Sequence, residues 1–197
     1  AQDLLSLGTV LAHGQLLMIC PQAEFAIEPG YPGYTWFQRG ADNKRATGEV
    51  ERVGILLWGF IDYVIEHYPV DSERIALLGF SQGGSLAYAL ALTEPARFAG
   101  LAALSTGLAP DVLAEVTPHS EVPRLPVLVQ HGSQDELVSI EKGRDACETL
   151  RGLGVEPEFH EYLMGHQINN ESARDLSLWL ARVLRLDDAG ASTSVDR

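Results

Sequence analysis

Short, continuous apolar runs alternate with helix-like segments along most of the 197-residue chain, and this alternation limits the possible folds. Runs that are apolar at every position are typical of strands covered on both faces, because a half-exposed strand alternates apolar and polar residues. Strand and helix in alternation predict an α/β fold of three layers with a mainly parallel central sheet. The segments predicted as strands are 15–21, 74–80, 98–105, 125–132 and 155–163, the last of which is half polar.

Helical segments are indicated by apolar residues that recur every three or four positions. They cover 49–68, 82–93, 140–153 and a last segment that Asn170 is expected to cap. Gly154 is a plausible C-terminal cap for the third helix. Residues 24–43 are rich in glycine, proline and aromatics without a period, which predicts a loop. We expect one domain over 1–186 and a disordered polar tail over 187–197.

Composition excludes several classes of partner. The formal net charge of -13 disfavours nucleic acid, because an acidic surface repels phosphate backbones. No run approaches the roughly 18 apolar residues of a membrane span, and no secretory leader is visible, so stable membrane insertion is not expected. Cys20 and Cys147 are expected to be buried and reduced, which favours a cytoplasmic location.

A serine stands at the point where a predicted strand meets a predicted helix. Gly79-x-Ser81-x-Gly83 has the spacing of a nucleophile elbow, in which a sharp turn leaves the serine hydroxyl projecting. Glycines at both flanks would let strand and helix approach closely, since they lack Cβ atoms. Amides at the start of the helix would favour an oxyanion. The alternative is a glycine-rich turn whose serine only caps the helix.

A serine nucleophile needs a base, and the base needs an orienting carboxylate. Asp135 follows one predicted strand and His166 follows the next, so both belong at the same sheet edge as Ser81. Glu136 is the alternative acid. No metal spacing and no phosphate-binding loop occurs, so no metal and no cofactor is expected. The histidines placed elsewhere, on strands, loops or surfaces, are His67, His119, His131 and His160.

The stretches ICPQAE, YTWFQ, RIALLGFSQGGSLA, PVLVQHGSQDELVSIEKG and EYLMGHQI together resemble the phospholipase/carboxylesterase branch of the α/β-hydrolases, which includes acyl-protein thioesterases. The resemblance runs from about residue 3 to residue 184. It implies an α/β-hydrolase fold and a triad of Ser81, Asp135 and His166, with Asp135 preferred over Glu136. It also implies that the backbone amide of Gln82 is an oxyanion donor.

The sequence departs from the family at its start. Family members carry an earlier strand that ends in a His-Gly-x-Gly loop, whose amide supplies a second oxyanion donor, and AQDLLSLG resembles the helix after that loop. We therefore expect a sheet that lacks the usual N-terminal strands, with an edge open to association, so a homodimer is left open. His13-Gly14 echoes the motif but precedes the run 15–21, which places it at the opposite edge.

The resemblance implies a hydrolase that cleaves small carboxylic esters through an acyl-enzyme, with a small-molecule ester as its partner. The alternatives are an acyl-protein thioesterase or lysophospholipase activity, and an inactive domain that acts only by association. Trp36 and Phe37 offer apolar area for an acyl chain, or are pinned to the core instead. Leu137 and Val138 are further candidates for the pocket.

Overall fold

The elements of the chain follow the predicted alternation. A computed structural model describes residues 2–27, 33–38, 40 and 45–186, so the predicted tail 187–197 lies outside the described residues. The strands are β1 (Phe25–Ala26), β2 (Tyr34–Thr35), β3 (Ala76–Phe80), β4 (Gly100–Leu104), β5 (Val127–Gly132) and β6 (Glu158–Tyr162). The helices are α1 (Gln2–Leu5), α2 (Glu49–His67), α3 (Gln82–Thr93), α4 (Pro110–Leu113), α5 (Ile140–Gly152) and α6 (Asn170–Val183).

The central sheet contains β3, β4, β5 and β6 in that order, and all three pairings are parallel. Ala76 lies opposite Gly100, and Leu128 lies opposite Glu158, at the start of the shared register. Because the strands are parallel, their carboxyl ends meet at one edge of the sheet, and the turns after β3, β5 and β6 lie there together. The strands β1 and β2 form a separate two-residue antiparallel hairpin.

Both faces of the sheet are covered, as the apolar strands predict. Alternate residues of β4 belong to different clusters: Leu101 and Ala103 pack with α2, α3 and α5, whereas Ala102 and Leu104 pack with α6 and Leu11. All five residues of β4 are buried. The result is the three-layer α/β arrangement, with the core divided into two parts by the sheet.

Two expectations about the secondary structure are wrong. Residues 15–21 are not a strand: no strand of the described residues pairs with them, and Leu17 is 57% exposed. An apolar run becomes a strand only when a neighbour accepts and donates its backbone hydrogen bonds. The cap of α6 is Asn169 rather than Asn170, since the Asn169 side chain accepts from the Ser172 amide in a capping box.

Both cysteines are free thiols. Cys147 is buried, and burial raises its pKa to about 11. Cys20 is only partly buried, so the expectation of burial holds for one of the two. Among the described residues, the helices are all too short or too polar to cross a membrane.

Candidate active site

Ser81 occupies a strained turn between β3 and α3. Its φ of 52° and ψ of -121° lie in a region that residues with a Cβ rarely adopt, at a cost of about 1–3 kcal/mol. The Ser81 amide donates to the Leu104 carbonyl oxygen at 2.9 Å, which ties the turn to the neighbouring strand. Such strain persists only where the surrounding structure imposes it, and it is typical of residues at functional sites.

Close packing of two glycines makes this turn possible. A Cβ on Gly79 would lie 2.5 Å from the carbonyl oxygen of Gly83, so no side chain fits there. A Cβ on Gly84 would lie 2.8 Å from the Thr106 Cβ. At Gly83 a Cβ would meet nothing within 4 Å. The close approach predicted for Gly79 and Gly83 is therefore provided by Gly79 and Gly84, because the helix turns its second glycine toward the sheet.

Asp135 lies in the turn after β5 and its carboxylate accepts three hydrogen bonds. Its Oδ1 accepts from the amides of Val138 at 2.8 Å and Leu137 at 3.0 Å, and its Oδ2 accepts from His166 Nδ1 at 2.8 Å. Burial alone would raise the pKa of this carboxyl, but the hydrogen bonds from Val138, His166 and Leu137 outweigh burial and hold the pKa below its usual range. The carboxylate is therefore ionised at neutral pH.

His166 lies in the turn after β6, between the acid and the end of β3. Its Nδ1 donates to Asp135, which leaves Nε2 as the nitrogen able to accept a proton. Its ring lies against the Phe80 ring, with centroids 4.7 Å apart, and Phe80 directly precedes Ser81. The hydroxyl of Ser81 forms no hydrogen bond with His166 among the described residues, so the two side chains must approach before a proton can pass between them.

His131 supports the turn that carries Asp135. It is fully buried, its Nε2 donates to the Val138 carbonyl oxygen at 2.8 Å, and the same nitrogen lies 3.5 Å from Asp135 Oδ2. This contact holds the segment whose amides bind Asp135. Glu136, the alternative acid, is exposed and takes part in no hydrogen bond of the described residues. The structure thus brings Asp135, and not Glu136, to the histidine.

The Gln82 side chain connects the turn at Ser81 to Thr35 and Trp36, in the segment predicted as a loop. Its Oε1 accepts from the Trp36 amide at 2.7 Å and from Thr35 Oγ1 at 3.0 Å. Its backbone amide begins α3, where the partial positive charge of a helix N-terminus favours an anion. The sequence indicated the amide but not the side-chain contact, because nothing along the chain relates residue 82 to residues 35 and 36.

A cleft of about 580 Å³ opens beside Ser81. Phe37 and Val138, two of the four residues proposed for the pocket, line it. Trp36 instead packs against the hydrophobic core, and Leu137 is 78% exposed. The full lining is Phe37, Arg45, Ser81, Gln82, Ser85, Thr106, Gly107, Ala109, Asp111, Val112, Val138 and Lys142.

The dipeptide His13-Gly14 lies away from this cleft. It belongs to a 3-10 turn, Leu11–Gly14, that packs against α6, where the Ala12 amide donates to the Ser177 hydroxyl at 2.7 Å. Neither residue lines the cleft. Among the described residues, no group of three or more His, Cys, Asp or Glu side chains could hold a metal ion.

The sequence is similar to those of known proteins. It matches the phospholipase/carboxylesterase family over residues 10–184, most of its length. The chain belongs to this family. The phospholipase/carboxylesterase relatives include acyl-protein thioesterase 1 of Gibberella zeae, 29% identical over 179 residues, covering 86% of this chain and 76% of that protein. Carboxylesterase SOBER1 of Arabidopsis thaliana is 34% identical over 115 residues, covering 57% of this chain and 50% of the relative.

Solved structures agree on the α/β-hydrolase fold. The crystal structure of esterase PE8 superposes with a TM-score of 0.77 over 92% of this chain and 86% of that chain, at 22% sequence identity. At this level of identity the likeness shows the fold alone. The chain spans about half the length of SOBER1 in the sequence match.

Proposed function

We propose that the protein is a serine hydrolase that cleaves small carboxylic esters through an acyl-enzyme intermediate. The observation that carries the proposal is the Asp135–His166 hydrogen bond of 2.8 Å, formed beside the strained turn that presents Ser81. The proposal is also supported by the parallel sheet, in which the turns that carry Ser81, Asp135 and His166 follow strands ending at the same edge, and by the chain order, which is the one this fold uses for nucleophile, acid and base. Family membership supports a hydrolase of carboxylesterase or thioesterase type.

In the proposed reaction, Nε2 of His166 takes the proton of Ser81 as the hydroxyl attacks the ester carbonyl. Asp135 holds the imidazole in the tautomer that leaves Nε2 free and stabilises the imidazolium that forms. The Gln82 amide donates to the developing oxyanion at the start of α3. His166 then protonates the leaving alcohol, and water activated by the same imidazole releases the acid from Ser81.

The cleft favours a small acyl group. Its apolar walls come from Phe37, Ala109, Val112 and Val138, which suit a short hydrocarbon chain next to Ser81. A net charge of -13 does not favour approach to anionic membranes, so we place the substrates among soluble esters. Cys20 and Cys147 are both free thiols, and unpaired cysteines support a cytoplasmic location.

Hydrolysis of 4-nitrophenyl butyrate by matched serine variants tests this function. Ser81→Ala is expected to lose turnover by about 10³-fold or more, because the nucleophile is gone. Ser85→Ala is the control, since Ser85 lies one helical turn further along α3 in the same cleft and has no proposed chemical role. Equal turnover by wild-type protein and Ser81→Ala would rule out the proposal.

A thioesterase is the second candidate, supported by the relative named acyl-protein thioesterase 1. Oxygen and sulfur esters of the same acyl chain, assayed side by side, separate the two. A higher kcat/KM for the thioester at matched chain length would favour the second candidate. Covalent labelling of Ser81 without turnover of either ester would instead indicate the inactive, associating domain.

A further inference from the structure

A lysine without a carboxylate partner faces the cleft beside Ser81. Every arginine of the described residues except Arg185 has a carboxylate within 4.0 Å, but Lys142 has none. In a chain with 27 acidic and 14 basic side chains, an unpaired cation is uncommon. Lys142 and Ser81 line the same cleft, so this charge belongs to the site rather than to the general surface.

The Cβ of Lys142 packs beside Gly107, and the rest of the side chain stays available. Lys142 is in the first turn of α5, and its Cβ lies so close to Gly107 that a Cβ added there would be 3.0 Å away. The residue as a whole is exposed. An accessible, strongly hydrated ammonium group at this position is suited to pair with an anion that enters the cleft.

The other charged residues that line the cleft, Arg45 and Asp111, are paired with each other. Arg45 pairs with Asp111 at 3.0 Å and also with Glu115 at 3.4 Å, so neither Asp111 nor Arg45 is left to oppose or replace Lys142. Arg45 Nε is buried and has no acceptor among the described residues. Because Arg45 Nε is buried, it is not open to a ligand in the cleft, and the available charge is the Lys142 ammonium group, which an acceptor with negative charge would stabilise.

We propose that this cleft selects esters that carry a carboxylate, with Lys142 as the residue that pairs with it. The inference rests on the proposed esterase function and names its substrate class. A volume of 580 Å³ equals that of a sphere about 10 Å across, so an ester held at Ser81 reaches the rest of the cleft with a spacer of a few bonds. The carboxylate can be carried by the acyl part or by the alcohol part.

Two substrate pairs of matched shape test the selection. Mono-4-nitrophenyl adipate and its neutral terminal amide differ only in charge on the acyl part. The butyrate esters of 4-hydroxybenzoate and of its primary amide differ only in charge on the alcohol part. For each pair the measured quantity is the ratio of kcat/KM for the charged ester to kcat/KM for the neutral ester.

Lys142→Met keeps the Cβ and the straight stem but removes the charge. We expect it to lower the ratio by about five-fold for at least one pair, the size of a partly exposed ion pair. Lys142→Arg is expected to keep most of the ratio, whereas Lys142→Glu lowers it further. Arg185→Met is the matched control, because Arg185 is the other unpaired cation of the described residues and does not line the cleft. An unchanged ratio for both pairs in Lys142→Met and Lys142→Glu would overturn the inference.

A binding measurement separates this inference from the proposed function. In the Ser81→Ala background, NMR titration with adipic acid monoamide and with neutral adipamide reports charge selection without turnover. Weaker binding of the monoamide in Ser81→Ala/Lys142→Met supports the role of Lys142 even if no ester is hydrolysed. Equal binding with and without Lys142 contradicts it even if the protein proves to be an active esterase.

Discussion

Asp135→Asn should abolish most esterase activity through a change of imidazole tautomer. In the structure, Oδ1 accepts two backbone amides, from Val138 and Leu137, and only an oxygen can replace it there. The asparagine nitrogen is thereby forced to the Oδ2 position, 2.8 Å from His166 Nδ1. An amide N–H at that point donates to Nδ1, so the neutral ring carries its proton on Nε2 and cannot accept the proton of Ser81.

The expected loss is about 10³- to 10⁴-fold in kcat, which corresponds to about 4–5.5 kcal/mol of transition-state stabilisation. The assay is hydrolysis of 4-nitrophenyl butyrate at neutral pH, with circular dichroism to show that the variant is folded. Glu136→Gln is the matched control, since it makes the same chemical change on the adjacent, exposed residue, and its rate should stay within about two-fold of wild type. A rate for Asp135→Asn within ten-fold of wild type, or an equal loss in Glu136→Gln, would refute the reasoning.

Three other predictions follow from the same geometry. Gly84→Ala should lower the free energy of unfolding by about 1–3 kcal/mol, because the added methyl group overpacks against Thr106. Gly83→Ala should be neutral or stabilising, since that position has free space. Equal urea midpoints for the two variants would contradict this. Gln82→Met should cost about 1–3 kcal/mol in unfolding free energy, because the Trp36 amide loses its acceptor, and an unchanged midpoint would contradict that role. The lowered pKa of Asp135 stabilises the fold above the ordinary carboxyl pKa, and this contribution is lost as the pH falls through the lowered value. Urea unfolding between pH 6 and pH 3 should thus be more pH-dependent for wild type than for Asp135→Asn, and parallel curves would contradict it.

The order of strands and helices could be predicted because each main element has a strong local signal. β3 and β4 are apolar throughout, β5 begins with an apolar run, and β6 is half polar but contains the strand-forming Phe159 and Tyr162. The apolar spacing of α2 corresponds to a buried face of Val50, Val53 and Leu57. Residues 15–21 show where this fails: their composition is that of a strand, but strand formation depends on a pairing partner that composition does not reveal. Asn169 and Asn170 differ by one position, which is the usual uncertainty of a helix boundary.

The triad residues could be proposed because their spacing relative to predicted strands places them at one edge. The contacts that support the triad could not be predicted from the sequence. His131 and Val138 are close in sequence, but their hydrogen bond depends on the path of the turn after β5. The Gln82 side chain contacts residues more than forty positions earlier, and Lys142 meets the cleft only because α5 packs beside Gly107. Contacts of this kind depend on tertiary packing.

Covalent labelling by a fluorophosphonate tests the central claim most directly, because the reagent reacts with a serine only when an adjacent base and an oxyanion donor activate it. Intact-mass spectrometry followed by peptide mapping is expected to find one adduct per chain, on Ser81, absent from Ser81→Ala and formed far more slowly by His166→Ala. Wild-type protein that stays unlabelled, or that carries its adduct on another residue such as Ser85, would contradict the account.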